Sequence, residues 1–179
     1  MKQSKALTYL CYGAMMSLAI GVNLLPIFLV AIQHSFAGAS GAGLTQEQLG
    51  RLGAFTFSGL VLGILATGPL ADRFGAKPFA IAGNMLLACG LIVTAWSPTY
   101  EILLAANFLL GLGAGVLDMV LSPVVSALNP DERTSSMNWL HSFYCVGATL
   151  TVLAGTAALQ AGISWRMASL LLLVLPVLL

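Results

Sequence analysis

Five runs of eighteen or more mostly apolar residues, and a sixth of fifteen, constrain this chain more than any other feature of its sequence. A bilayer core of about 30 Å takes roughly 20 residues of helix to cross. The runs cover roughly Leu7–Ile32, Glu47–Leu70, Phe79–Trp96, Tyr100–Leu121, Ser136–Leu159 and Trp165–Leu179. The expected fold class is all-α and integral to a membrane, with six transmembrane helices running up and down.

Composition supports this by exclusion. Seven basic and six acidic side chains make up 7% of 179 residues, where a soluble domain carries about a quarter. So few charges cannot coat a water-soluble enzyme or solvate a disordered tail. A net charge of +1 offers nucleic acid little attraction. Cys11, Cys89 and Cys145 are odd in number and lack ligand spacing, so neither a disulfide framework nor a metal site is expected; they read as small core residues. No catalytic triad or phosphate loop points to an enzyme, and no cofactor is expected.

Each break between spans has a local cause. Thr45 can cap the second span, with Gln48 closing a capping box three residues on. Ser97-Pro98 parts the third and fourth spans, and Asn129-Pro130 the fourth and fifth. Lys2 and Lys5 before an apolar run, with Ala37-Gly38-Ala39 after it, imitate a cleaved signal. A run near 26 residues is nevertheless too long against 7–15 for a signal core. Five basic residues (Lys2, Lys5, Arg73, Lys77, Arg133) fall on the amino-terminal side and two (Arg51, Arg166) on the other. The amino terminus is therefore expected in the cytoplasm, in an inner or plasma membrane.

The loop between the second and third spans reads Gly68-Pro69-Leu70-Ala71-Asp72-Arg73-Phe74-Gly75-Ala76-Lys77. Physically, Gly68 permits close helix packing and Gly75 a turn that a β-carbon would forbid. Asp72 and Arg73 can pair or satisfy helix ends, and Lys77 can anchor at an anionic leaflet. The loop resembles the signature G-x-x-x-D-R-x-G-[RK]-[RK] of the major facilitator superfamily of transporters. Gly68, Asp72, Arg73, Gly75 and Lys77 match, and Ala76 departs from the usual basic residue. The resemblance implies the amino-terminal half of such a transporter, a 3+3 inverted repeat over residues 1–179 with its sixth helix incomplete. It also implies a conformational-gating role for this loop, and a partner: a second six-helix half or a second half-length chain.

A narrower resemblance lies further on. Gly111-Leu112-Gly113-Ala114-Gly115-Val116-Leu117-Asp118 and Asn138-Trp139-Leu140-His141-Ser142-Phe143-Tyr144-Cys145-Val146-Gly147 are similar to helices four and five of fucose-permease-like sugar transporters. Two departures are Ser122, where those proteins often have Asn, and the lack of an acid near Val22-Asn23. The glycine run also imitates a dinucleotide fingerprint, but no strand precedes it.

Polar side chains deep in a membrane default to functional candidates. Asp118 is the only acid deep in any span. Asn107, Gly111, Gly115, Asp118 and Ser122 recur at spacings of four, four, three and four, on one helix face. Small residues alone would favour helix packing; the added amide and carboxylate favour a cavity. Asn138, His141, Ser142, Cys145, Thr149 and Thr156 form a similar stripe on the fifth span. Asp118 and His141 each lie about eleven residues from the turn between their spans, so an Asp118–His141 contact is expected; His141 bonded to a carbonyl or to Ser142 is the plainer alternative. On the first span Tyr12 and Asn23 are the cavity candidates, Tyr9 belongs to the interfacial belt, and Pro26 marks a bend. Helix three offers only Asn84 and helix six nothing polar, so both read as outer supports.

The expected function is secondary transport of a small polar solute, a sugar by the narrower resemblance. Asn23, Tyr12, Asn107, Asp118, Asn138, His141 and Tyr144 are the solute-binding set, with Asp118 and His141 coupling protons. A drug or metabolite exporter of the same superfamily is the alternative, weakened by the missing Gly-Pro pair in the fifth span. A scaffold or sensor reusing the fold is the reading from another class, and it gives no reason for Asp118.

Overall fold

The computed structural model describes residues 2–37 and 43–179. Gly38 and Ala39 of the cleavage-site imitation lie outside them, as does the side chain of Lys2. Helices follow in the order α1 (Lys2–Ser35), α2 (Gln46–Phe74), α3 (Ala76–Ala95), α4 (Tyr100–Leu128), α5 (Arg133–Gln160), α6 (Trp165–Leu171) and α7 (Val174–Leu178). The first five are long and apolar enough to cross a membrane. The sixth expected span is one short helix broken into α6 and α7, where Leu172 and Leu173 leave the α ladder.

The ends obey local chemistry. Thr45 and Gln48 form the reciprocal capping box, and the Thr99 and Ser164 hydroxyls cap α4 and α6. The signature segment differs from its expected form. It is mostly helix, because α2 continues through Asp72 and Arg73 and α3 restarts at Ala76. Gly75 alone joins them, at φ 83°, a left-handed conformation that side chains with a β-carbon resist.

Helix α4 is the hub, packed against α1, α2 and α3, while α5 packs on α1. Helices α1 and α4 bury more than half of their apolar stretches, and α2, α3 and α5 a third or less. The α2–α4 seam is glycine against backbone. Gly59 abuts Phe108 and Leu112, Gly63 abuts Leu112 and Gly115, and Gly68 faces Met119. Numbers rise together on both helices, so the two run parallel. Gly59-xxx-Gly63 meets Gly111-xxx-Gly115, the spacing that lets membrane helices approach most closely. The α1–α5 seam is built alike, with Gly147 over Met16 and Gly155 against Ile27 and Phe28. Exchanging the first three helices for the second three turns one seam into the other, as an inverted repeat requires.

The opposite end carries a polar knot. Arg166 donates through Nη1 to the Ser97 carbonyl at 3.0 Å and lies 4.5 Å from the Trp165 ring and 5.8 Å from that of Phe36. It ties α6 to the α3–α4 turn and the end of α1. Helix six is thus not wholly apolar: Ser169 is buried too, bonded to the Trp165 carbonyl.

Replacing Gly115 with Val would drive a branched side chain into the Leu60 carbonyl of α2. Thermal unfolding in detergent should show a loss of about 1–3 kcal/mol. Gly50→Ala, at an exposed helical position where a β-carbon meets nothing within 4 Å, should instead raise the melting temperature slightly.

Candidate functional site

The structure divides the expected polar set in two. Asn107 is 1% exposed. Its Nδ2 donates to the Leu103 carbonyl at 2.8 Å, and its Oδ1 lies 3.2 Å from the Thr56 hydroxyl. That hydroxyl is also 3.1 Å from the Leu52 carbonyl, so its single proton serves two acceptors. Asn107, Gly111 and Gly115 therefore belong to the α2–α4 seam, not to an open cavity. The reason is steric: residues small enough to line a cavity are also small enough to admit a neighbouring backbone. Nothing in the sequence marks Thr56 as the partner of Asn107, since the two lie fifty-one residues apart on different helices.

Tyr12 is likewise internal. It is buried, donates to the Ser136 carbonyl at 3.4 Å and stacks on Phe143 with centroids 4.9 Å apart. It joins the start of α1 to the start of α5. Tyr9, exposed at 67%, meets Tyr12 edge-on.

Asp118 and Asn23 remain at the boundary between packing and open space. Asp118 is half-buried on α4, beyond the glycine seam, with no hydrogen bond or ion pair to any described residue. Asn23 is half-buried on α1; its Nδ2 donates to the Ala19 carbonyl at 2.8 Å and to Tyr144 Oη at 3.3 Å. These bonds leave the Asn23 Oδ1 as an acceptor and the Tyr144 O–H as a donor.

His141 does not pair with Asp118, because the two leave their helices differently. The buried side of α5 carries Ser136, Leu140, Gly147, Thr151 and Gly155. Asn138, His141, Ser142, Cys145, Thr149 and Thr156 occupy the opposite side, and all are exposed. Equal depth did not imply a shared direction. Ser142 and Thr149 turn their hydroxyls back onto the Asn138 and Cys145 carbonyls. Asn138 and Ser142 border a shallow hollow with Thr134, Ser135 and Trp139. Cys89 and Cys145 are exposed and only Cys11 is half-buried, so the cysteines are not core residues as a set.

In the signature segment Asp72, Arg73 and Lys77 are exposed. Arg73 rests 5.2 Å from the Phe74 ring centroid, and Gly75 N–H donates to the Ala71 carbonyl. Asp72 and Arg73 do not pair. The one ion pair among the described residues is Arg51 with Glu47, a helical turn apart on α2.

This arrangement of six helices, parallel glycine seams and a one-glycine junction after Asp72-Arg73 agrees with a sequence match. Residues 6–179 fit the family model of the Major Facilitator Superfamily. The chain belongs to that superfamily. It is a multi-pass membrane protein of a transporter family, not an enzyme. Among superfamily relatives it is 31% identical over 125 residues to the 4-hydroxybenzoate transporter PcaK of Pseudomonas aeruginosa, covering 66% of this chain and 28% of that protein. It is 26% identical over 137 residues to the multidrug resistance protein MdtL of a Shewanella species, covering 76% and 33%. It is 28% identical over 148 residues to the probable plastidic glucose transporter 1 of Arabidopsis thaliana, covering 82% and 27%. The matched part is thus a third or less of each of these relatives.

A separate apolar groove of about 770 Å³ lies on another side of the bundle, between α1, α3, α4 and the α7 end, with Lys77 and Asn84 on its wall. The Asn84 Oδ1 is buried there without a partner.

Tyr144→Phe removes the acceptor that Asn23 uses across the α1–α5 seam but keeps the ring. The unfolding free energy should fall by about 0.5–1.5 kcal/mol, and Asn23→Ala made on top should add little. Full additivity in a double-mutant cycle would contradict the contact.

Proposed function

We propose that this chain is the amino-terminal six-helix half of a secondary transporter that moves a small polar solute by alternating access. A second six-helix bundle supplies the opposite wall of the cavity. Asp118 carries the reading: a half-buried carboxylate on the hub helix, unpaired among the described residues, is costly in a membrane unless it serves a proton or a solute. Asp118 takes up and releases the coupling proton. Asn23 and Tyr144 offer one acceptor and one donor to the solute, and the exposed Asn138–His141 stripe of α5 faces the second bundle. Among solutes a sugar is favoured, by the helix-four and helix-five motifs and by a glucose-transporter relative. An exporter is the second reading, favoured by the MdtL relatives. The excess of basic residues toward the amino-terminal side supports an amino terminus on the cytoplasmic face of a plasma membrane.

Asp118→Asn in the complete transporter should abolish accumulation driven by an imposed proton gradient in proteoliposomes, while downhill exchange persists. Labelled glucose and 4-hydroxybenzoate serve as probes, and accumulation with the parent's pH dependence would make Asp118 structural. Asp72→Ala, at the exposed end of α2, should slow turnover roughly tenfold, or ~1.4 kcal/mol of barrier. Half-saturation from the far side should change little. A large loss of binding with normal turnover would remove the gating role.

A further inference from the structure

Three prolines lie inside the long helices: Pro26 in α1, Pro69 in α2 and Pro123 in α4. Two of them share a level. Along the α2–α4 seam Gly59 meets Phe108 and Leu112, Gly63 meets Leu112 and Gly115, and Gly68 meets Met119. Residues on α4 are thus numbered about fifty-two above their α2 neighbours, which puts Pro69 beside residue 121. Pro123 is two positions on, about 3 Å along the axis at helical rise. We propose that Pro69 and Pro123 form a single bending line across the α2–α4 pair, so that the last turns of both helices move as one piece.

The backbone chemistry differs on the two sides of this line. Each proline lacks an N–H, so the Leu65 and Met119 carbonyls lose their partners four residues on. The two freed carbonyls sit at nearly one height. Both prolines are exposed, so no third helix braces the line from that side. Before it, the glycine seam and the Asn107–Thr56 contact hold backbone against backbone. At it, the contact becomes Gly68 against the Met119 methyl, 3.1 Å from where a β-carbon would stand. A thioether chain with three rotatable bonds can follow a bend that backbone contacts would resist.

Past the line both ends have points to pivot on. Helix α2 ends after Phe74 in Gly75 at φ 83°, a one-residue swivel into α3. Helix α4 ends at Asn129, whose Nδ2 donates to Thr8 on α1 at 3.1 Å and to the Val125 carbonyl at 3.0 Å. Movement of the α2 end would carry Asp72 and Arg73. Movement of the α4 end would carry the turn into α5. The bending line thus links the signature segment to the start of α5 through the two helices themselves.

Hydrogen–deuterium exchange of the full chain in nanodiscs tests this, comparing the parent with Pro69→Ala and Pro123→Ala. Restoring one N–H should slow exchange about fivefold in both 70–74 and 124–128. The seam at 56–64 and 107–117 should be unchanged. Protection confined to the substituted helix, or absent from both, would overturn the single line. A second readout uses spin labels. Labels at Leu70 and Ala127 should give a narrow distance distribution, and labels at Ala54 and Leu70 a broad one that Pro123→Ala narrows. A broad Leu70–Ala127 distribution would mean that the ends move separately.

Discussion

Everything in this bundle is arranged around the contact of α2 with α4, where two Gly-xxx-Gly stretches run parallel and let backbone touch backbone. In a bilayer the hydrophobic effect gives no preference for helix over lipid, so close packing and internal hydrogen bonds must hold helices together. The glycines provide the first, and the buried Asn107–Thr56 contact adds the second. Because α4 also meets α1 and α3, fixing α2 on α4 fixes the frame on which α1 hangs, and α5 hangs on α1 in turn. The second seam uses the same device with fewer glycines and more aromatic contact, through Tyr12, Phe143 and Tyr144.

That economy decides which polar groups remain for function. Buried polar atoms in this chain are mostly spent on their own helix or its neighbour: Ser169 on Trp165, Thr151 on Gly147, Asn107 on Leu103 and Thr56. Asp118 stands apart, since a carboxylate has no proton to give a helix carbonyl and this one makes no hydrogen bond among the described residues. Asn23 and Tyr144 hold each other while keeping one acceptor and one proton in reserve. The polar groups left without a packing role are therefore few: Asp118 on α4, and Asn23 with Tyr144 across the α1–α5 seam, rather than the full polar stripe of α4.

Charges are sorted just as strictly. Lys5, Arg73, Lys77 and Arg133 lie toward one end of the helices, Arg51 and Arg166 toward the other. Only Arg166 is worked into the fold, on a carbonyl and two rings that tie three elements. The others stay exposed, where a flexible cation meets water or lipid phosphate at little cost.

Residue order alone determined the number of long helices, their caps at Thr45, the break at Gly75 and the superfamily, because apolar length, capping and turn chemistry act within a few residues. It also picked out Asp118, since a lone acid in an apolar run is visible without knowing its neighbours. Tertiary structure alone decided what the small stripe of α4 faces. Glycine and asparagine fit a water-lined wall and a tight helix seam equally well, and only the approach of α2 selects the seam. The same holds for His141: helical rise gives its depth, but its direction depends on which side of α5 meets α1. The level shared by Pro69 and Pro123 was hidden for the same reason. It exists only once the glycines set the register between two helices whose facing residues are about fifty positions apart in the chain.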